Sequence, residues 1–120
     1  MGSHDRVATD PDLFLRAVNH FNRAEFFEAH EAWEDIWREA SQPEKQFLQG
    51  LIQVAVALHH YSTGNVVGAR SLLPRACRNL QGCPEDFRGM RIAELMRLLE
   101  KWQSALAEEK AVPPFPKLEL

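Results

Sequence analysis

Apolar residues recur along this chain at steps of three and four, the pattern of helices that bury one face. Phe14, Ala17, Val18 and Phe21 mark a first helix, opened by Asp10-Pro11-Asp12 with a capping carboxylate and a proline at the first helical position, and running to about Asn22. Asn22 and Glu25 form an N-cap and N3 pair of the capping-box kind, so a second helix is predicted to follow directly and reach about Ala40, making a tight hairpin. Ser41-Gln42-Pro43-Glu44 stops that helix and starts a third, with Ser41 or Gln42 as the cap and Pro43 in the first turn. Phe47, Leu48, Leu51, Ile52, Val54, Val56 and Leu58 surround the axis of the third helix, and no Asp, Glu, Lys or Arg occurs from Gln46 through Ala69. Its apolar run falls well short of the roughly 18 residues of a membrane span. A central core helix is therefore predicted.

Gly64-Asn65 ends the third helix and caps a fourth that places Val66, Ala69, Leu72, Leu73, Ala76 and Leu80 on one face. Pro74 lies inside this pattern and removes one backbone hydrogen bond, which predicts a kink near Arg70. Gln81 to Gly89 reads as a loop, and Ile92, Leu95, Leu99, Trp102 and Leu106 form a fifth helix. No strand pattern is visible. The predicted fold is all-α, a compact orthogonal five-helix array of helical hairpins around a central buried third helix, with a single domain over residues 10–110. Residues 1–9 form a tail whose Met1-Gly2-Ser3-His4 reads in part as an expression scar. The Pro-rich tail 111–120 is expected to lie against the body through Phe115. No 34-residue period recurs, so no repeat array is predicted.

Two polar intrusions break the apolar pattern. On a helical wheel at about 100° per residue, His30 falls in the middle of the second helix's aromatic arc, between Phe26, Trp33 and Trp37 on one side and Phe27 and Glu34 on the other. On the third helix Gln46, Gln49, Gln53 and His60 fall within about 60° of one another, beside the small residues Gly50 and Ala57 that allow a neighbouring helix to approach. The two intrusions are expected to meet, amides hydrogen-bonding a buried imidazole and carboxylate. Packing alone is one reading of such a meeting, since a buried carboxylate without a partner costs several kcal/mol.

Metal binding is a sharper reading, with His30 and Glu34 four apart on one face and His60 as a third ligand. The spelling His30-Glu31-Ala32-Trp33-Glu34 nevertheless misses HExxH at its last position and lacks the Glu-x-x-His order of di-iron bundles. Acid/base catalysis would use His30 or His60 as base with Glu31 or Glu34 beside it, but no nucleophile accompanies them. His59 points away from the glutamine stripe and reads as a capping or core residue, and Trp33 and Trp37 read as core.

Charge narrows the partners. The 120 residues carry a formal net charge of −3, which gives no electrostatic case for nucleic acid. Acidic residues crowd Glu25 to Glu44 and basic ones Arg70 to Lys101, a segregation first explained by attraction between helices. Cys77 and Cys83 match no zinc or disulfide framework and are expected as free thiols. With neither a signal peptide nor a membrane span, a cytoplasmic location is expected.

The residues Phe21-Asn22, Glu25-Phe26-Phe27-Glu28-Ala29-His30-Glu31, Glu34, Trp37, Phe47-Leu48-Gln49-Gly50-Leu51-Ile52-Gln53, the histidines at 59 and 60, Gly64-Asn65 and Gly68-Ala69-Arg70 resemble the bacterial and archaeal family known as domain of unknown function 309. The resemblance covers about residues 13 to 80. It implies a small intracellular all-helical protein with an EAHExxExxW signature on the second helix, and no activity. Ala24, where the family tends to have glycine, and Pro74 depart from it. The resulting expectation is a small-ligand-binding or protein-interaction module built on His30, Glu31, Glu34, Trp37, Gln49, Gln53, His60 and Arg70, the arginine approaching the acidic cluster or an anionic ligand. The alternative is a metal-dependent or acid/base, hydrolase-like enzyme on His30, Glu31, Glu34 and His60. No cofactor is expected apart from a divalent metal under that alternative. The partner is a small molecule, another protein or a second copy, with neither nucleic acid nor membrane.

Overall fold

A computed structural model describes residues 11–84 and 86–120. Five helices account for most of them: α1 (Pro11–Asn22), α2 (Phe26–Glu39), α3 (Glu44–Ser62), α4 (Val66–Gln81) and α5 (Ile92–Ala107). The all-α expectation holds, and no helix is long and apolar enough among the described residues to cross a membrane. Each helix packs chiefly on its neighbours in sequence, α1 on α2, α2 on α3, α3 on α4 and α4 on α5. The third helix is central, burying Phe47, Leu48, Gly50, Leu51, Ile52, Val54, Ala55, Ala57 and Leu58 between α2 and α4. Gly50 is needed there, because a Cβ would lie 2.7 Å from Leu80 Cγ on α4.

One element lay outside the sequence reading. Asp86–Phe87 (β1) and Met90–Arg91 (β2) pair antiparallel across a turn in which Arg88 and Gly89 both have positive φ. Two residues per strand cannot show an alternating pattern, so the segment read as loop. Phe87 stacks on Phe47 at 4.4 Å and Arg88 pairs with Glu44, which fastens this ribbon to the start of α3.

Several local expectations are refined. Gln42 caps α3, its side-chain oxygen accepting from Gln46 N–H at 3.0 Å, while Pro43 stands at the N-cap rather than in the first turn. Helix α4 continues through Pro74 as a single element to Gln81. Asp10, expected to cap α1, lies outside the described residues. The capping box of Asn22 and Glu25 does not form. Glu25 itself is the N-cap of α2, without a side-chain cap bond, and its carboxylate accepts from His20 Nδ1 at 2.7 Å instead.

The two hairpins α1–α2 and α3–α4 are built alike, forty positions apart. Buried positions correspond as Phe14 and Val54, Ala17 and Ala57, Val18 and Leu58, Ala29 and Ala69, Trp33 and Leu73, Ile36 and Ala76. The turns correspond bond for bond: Ala24 N–H to Phe21 O and Gly64 N–H to Tyr61 O, Glu25 N–H to His20 O at 2.8 Å and Asn65 N–H to His60 O at 2.7 Å. Ala24 and Gly64 both have positive φ, 61° and 91°, the left-handed cap that closes a Schellman motif. A third cap of this kind ends α5, where Lys110 N–H reaches Ala105 O and Glu109 has φ 55°. Beyond it the chain becomes an extended strap instead of a helix.

Candidate functional site

The buried face of α2 is Phe26, Ala29, Trp33 and Ile36, so its centre lies near Ala29 and Trp33 rather than at His30. The aromatic wheel misplaced it because Phe27, counted as apolar and inward, is 47% exposed. His30 consequently sits at the edge of the buried face. Its Nδ1 donates to Phe27 O at 3.0 Å, and its Nε2 is 3.8 Å from Glu34 Oε1, too long for a hydrogen bond. The first contact is an i to i−3 bond within α2, so the ring is oriented by its own helix.

What flanks this imidazole is a second one. Phe27 lies 5.2 Å from the His30 ring and 5.6 Å from the His59 ring, bridging α2 and α3. His59, not His60, is therefore the α3 histidine that faces the second helix. Around them Glu28 and Glu31 are exposed and Glu34 half-buried. Trp37, one turn beyond, is half-buried beneath Lys45, whose Nζ lies 4.2 Å from the ring centroid and donates to Trp37 O.

The glutamine stripe belongs to a different interface. Gln46 Nε2 donates to Asn79 O at 3.2 Å and Gln53 Oε1 accepts from Asn79 Nδ2 at 2.8 Å, both on α4. Gly50 stands beside them against Leu80, so the close helix approach expected of this stripe is realised with α4 rather than α2. Gln49 is half-buried on the same helix. His60 Nδ1 lies 3.3 Å from Asn65 Nδ2 at the head of α4. Gln46, Gln53 and His60 are thus committed to the α3–α4 contact and do not gather around His30 and Glu34.

No three His, Cys, Asp or Glu side chains converge among the described residues in a way that could hold a metal ion, so the set His30, Glu34 and His60 is not assembled. Arg70 does not approach the acidic helix. Its Nη2 donates to Leu106 O at 2.8 Å, satisfying a carbonyl at the end of α5. The segregated charges meet across the fold at one point among the described residues, Glu44 with Arg88, and no ion pair there joins α2 to α4 or α5. Both cysteines are free, with burial pushing each thiol up, Cys77 also accepting from Gln103 at 3.1 Å. Such thiols are poor nucleophiles.

The assembled features are those of an all-helical domain of stacked hairpins carrying an exposed phenylalanine between two half-buried imidazoles at one helix pair. The chain belongs to the family described as a domain of unknown function (DUF309), whose profile matches residues 14–72. It is similar to an uncharacterized protein of Aquifex aeolicus (strain VF5), 30% identical over 96 residues that make up 79% of this chain and 29% of that protein. It is also similar to the uncharacterized protein YpuF of Bacillus subtilis (strain 168), 32% identical over 110 residues, 90% of this chain and 63% of that protein. The chain thus spans less than a third of the first relative and under two thirds of the second.

Proposed function

We propose that the domain is a cytoplasmic protein-interaction module whose contact surface is the outer side of α2 and the adjoining end of α3. The observation that carries this reading is Phe27, nearly half exposed between the rings of His30 and His59. Leaving about half of an aromatic side chain that size in water forgoes roughly 0.7 to 1.5 kcal/mol of burial, which a partner would recover. Glu28, Glu31 and Glu34 ring the patch, so the partner that fits presents an apolar side chain flanked by basic groups. Binding is favoured over catalysis because neither imidazole is hydrogen-bonded to a hydroxyl or thiol among the described residues.

Placing a photo-crosslinking phenylalanine analogue at position 27 tests this in the cells that make the protein. A discrete crosslinked species, absent when the analogue replaces the exposed Leu15 and weakened by Glu31→Lys, is the expected result. Equal, diffuse crosslinking at both positions refutes the surface. Phe27→Ser should leave stability within about 1 kcal/mol, since the residue is not in the core; a loss of 2 kcal/mol or more would assign Phe27 to packing instead.

A further inference from the structure

The segment that follows α5 is held as a bound peptide is held. Phe26 of α2, Tyr61 of α3 and Trp102 of α5 wall an aromatic groove, and Phe115 fills it. The Phe115 ring lies nearly parallel to Trp102, with centroids 5.5 Å apart and planes at 8°, and meets Phe26 edge-on at 4.9 Å. Trp102 Nε1 donates to Pro114 O at 3.2 Å. Three residues beyond Phe115, the Asn22 side chain donates to Leu118 O at 2.9 Å and accepts from Leu118 N–H at 2.7 Å. One amide therefore reads both main-chain groups of one residue, as a neighbouring strand would. The Leu118 side chain is buried, and Lys117 Nζ donates to Asn22 O at 3.2 Å.

These contacts follow the logic of peptide recognition: side chains of the body bond the segment's main chain, while two apolar plugs select its sequence. Pro113, Pro114 and Pro116 favour the extended form, which lowers the cost of ordering it. The groove also occupies a telling place in the fold. After α1 and after α3 the left-handed cap leads into a second helix, whereas after α5 it leads into this extended segment.

We infer that this groove is a binding site for an extended Pro-Phe-Pro-x-Leu segment, and that in trans it takes that segment from a second copy of the chain, the two copies exchanging straps. Each contact described above joins the helical body to the segment, so each can form between copies as well as within one. Tethering favours the intramolecular form in dilute solution, and exchange grows with concentration. The groove is distinct from the Phe27 surface, and either stands without the other.

The test uses full-length protein and a fluorescent synthetic peptide spanning residues 110–120. Phe115→Ala, whose own strap has lost its main plug, should bind the peptide about tenfold or more tightly than the wild type, and a scrambled peptide should not bind. Mixing Phe115→Ala, which keeps the groove, with Asn22→Ala, which keeps the segment, should give a heterodimer in sedimentation velocity at concentrations where neither variant self-associates. Should Phe115→Ala lose its helical circular dichroism, Leu118→Ser replaces it, removing only the outer plug. Absence of peptide binding to a folded variant at about 1 mM overturns the site. Peptide binding without the mixed dimer overturns exchange between copies.

Discussion

The hairpins α1–α2 and α3–α4 share a backbone plan and differ in what they carry. Both close through a left-handed cap, both bury alanine at the second-helix position nearest the partner, Ala29 and Ala69, and both set an imidazole against the cap of the next helix, His20 at Glu25 and His60 at Asn65. At outward positions they part. Phe27 corresponds to Val67, His30 to Arg70 and Glu34 to Pro74. Phe26 is covered by the strap through Phe115, while its counterpart Val66 is 38% exposed. The second hairpin thus spends its outward polar groups on structure, Arg70 on the end of α5 and Asn65 on its own helix, whose cap accepts from Gly68 N–H at 2.9 Å. The first hairpin leaves Glu28, Glu31 and the Phe27 ring exposed. The shared plan is a scaffold, and the proposed interaction surface lies on one copy of it.

The largest effects should come where the two copies bury different volumes at one equivalent site. Trp33 and Leu73 are both fully buried, Trp33 against Phe14 at 6.3 Å and Phe21 at 5.9 Å. Trp33→Ala should cost about 3 to 5 kcal/mol and Leu73→Ala about 2 to 5 kcal/mol in urea unfolding with an unchanged slope. Trp33→Phe should cost less than about 2 kcal/mol, because it also removes the indole N–H, which is buried without a hydrogen-bond partner. A loss below about 1 kcal/mol for Leu73→Ala would show that the second hairpin is not part of the same cooperative unit.

The turns offer a smaller and more symmetrical comparison. A left-handed residue costs about 1 to 2 kcal/mol for any side chain with a Cβ, and glycine loses about 0.5 to 1 kcal/mol of that advantage through its freer unfolded chain. Gly64→Ala should therefore destabilise by about 1 kcal/mol, and Ala24→Gly should stabilise by about 0.5 kcal/mol. No atom lies within 4 Å of a Cβ built at Gly64, so backbone conformation alone sets that cost. Thermal melts of the two single variants and the double should add, since the turns lie in separate hairpins. A stabilised Gly64→Ala would overturn the left-handed assignment.

Much of this plan was legible in the residues. Helical periodicity fixed all five helices, and the uncharged run from Gln46 to Ala69 marked the central one. The doubling at forty positions was not legible, because it rests on burial and hydrogen bonding while few identities survive beyond His20 and His60, Ala17 and Ala57, and Ala29 and Ala69. The candidate site failed in a particular way. A wheel weights large apolar side chains, so Phe27 and Trp37 pulled the inferred buried arc toward His30, whereas the small Ala29 in fact faces the core. The glutamine stripe was read correctly as a close-approach face but assigned to the wrong neighbour, since a wheel gives direction without saying which helix lies there. Asn22 and Phe115 look like a cap and a tail residue in sequence, and their meeting across the fold has no local signal.

The subtlest difference between the hairpins is electrostatic. The Glu25 carboxyl is held below the usual glutamate range, first by its hydrogen bond from His20 and then by Arg23, against an opposing push from burial. Its counterpart Asn65 does not titrate. Because the folded value lies below the unfolded one, the stabilisation from Glu25 is present above the ordinary glutamate pKa and is lost as pH falls through the folded value. The stability difference between wild type and Glu25→Gln should therefore shrink on acidification below about pH 4.5, with no such trend for Asn65→Ser. Side-chain carbon NMR should place the Glu25 midpoint below that of the same residue in the urea-unfolded chain, and His20→Asn should move it back upward. A midpoint that His20→Asn leaves in place would mean the imidazole does not hold the carboxylate, and the parallel between the two histidine-bearing turns would then be one of backbone alone.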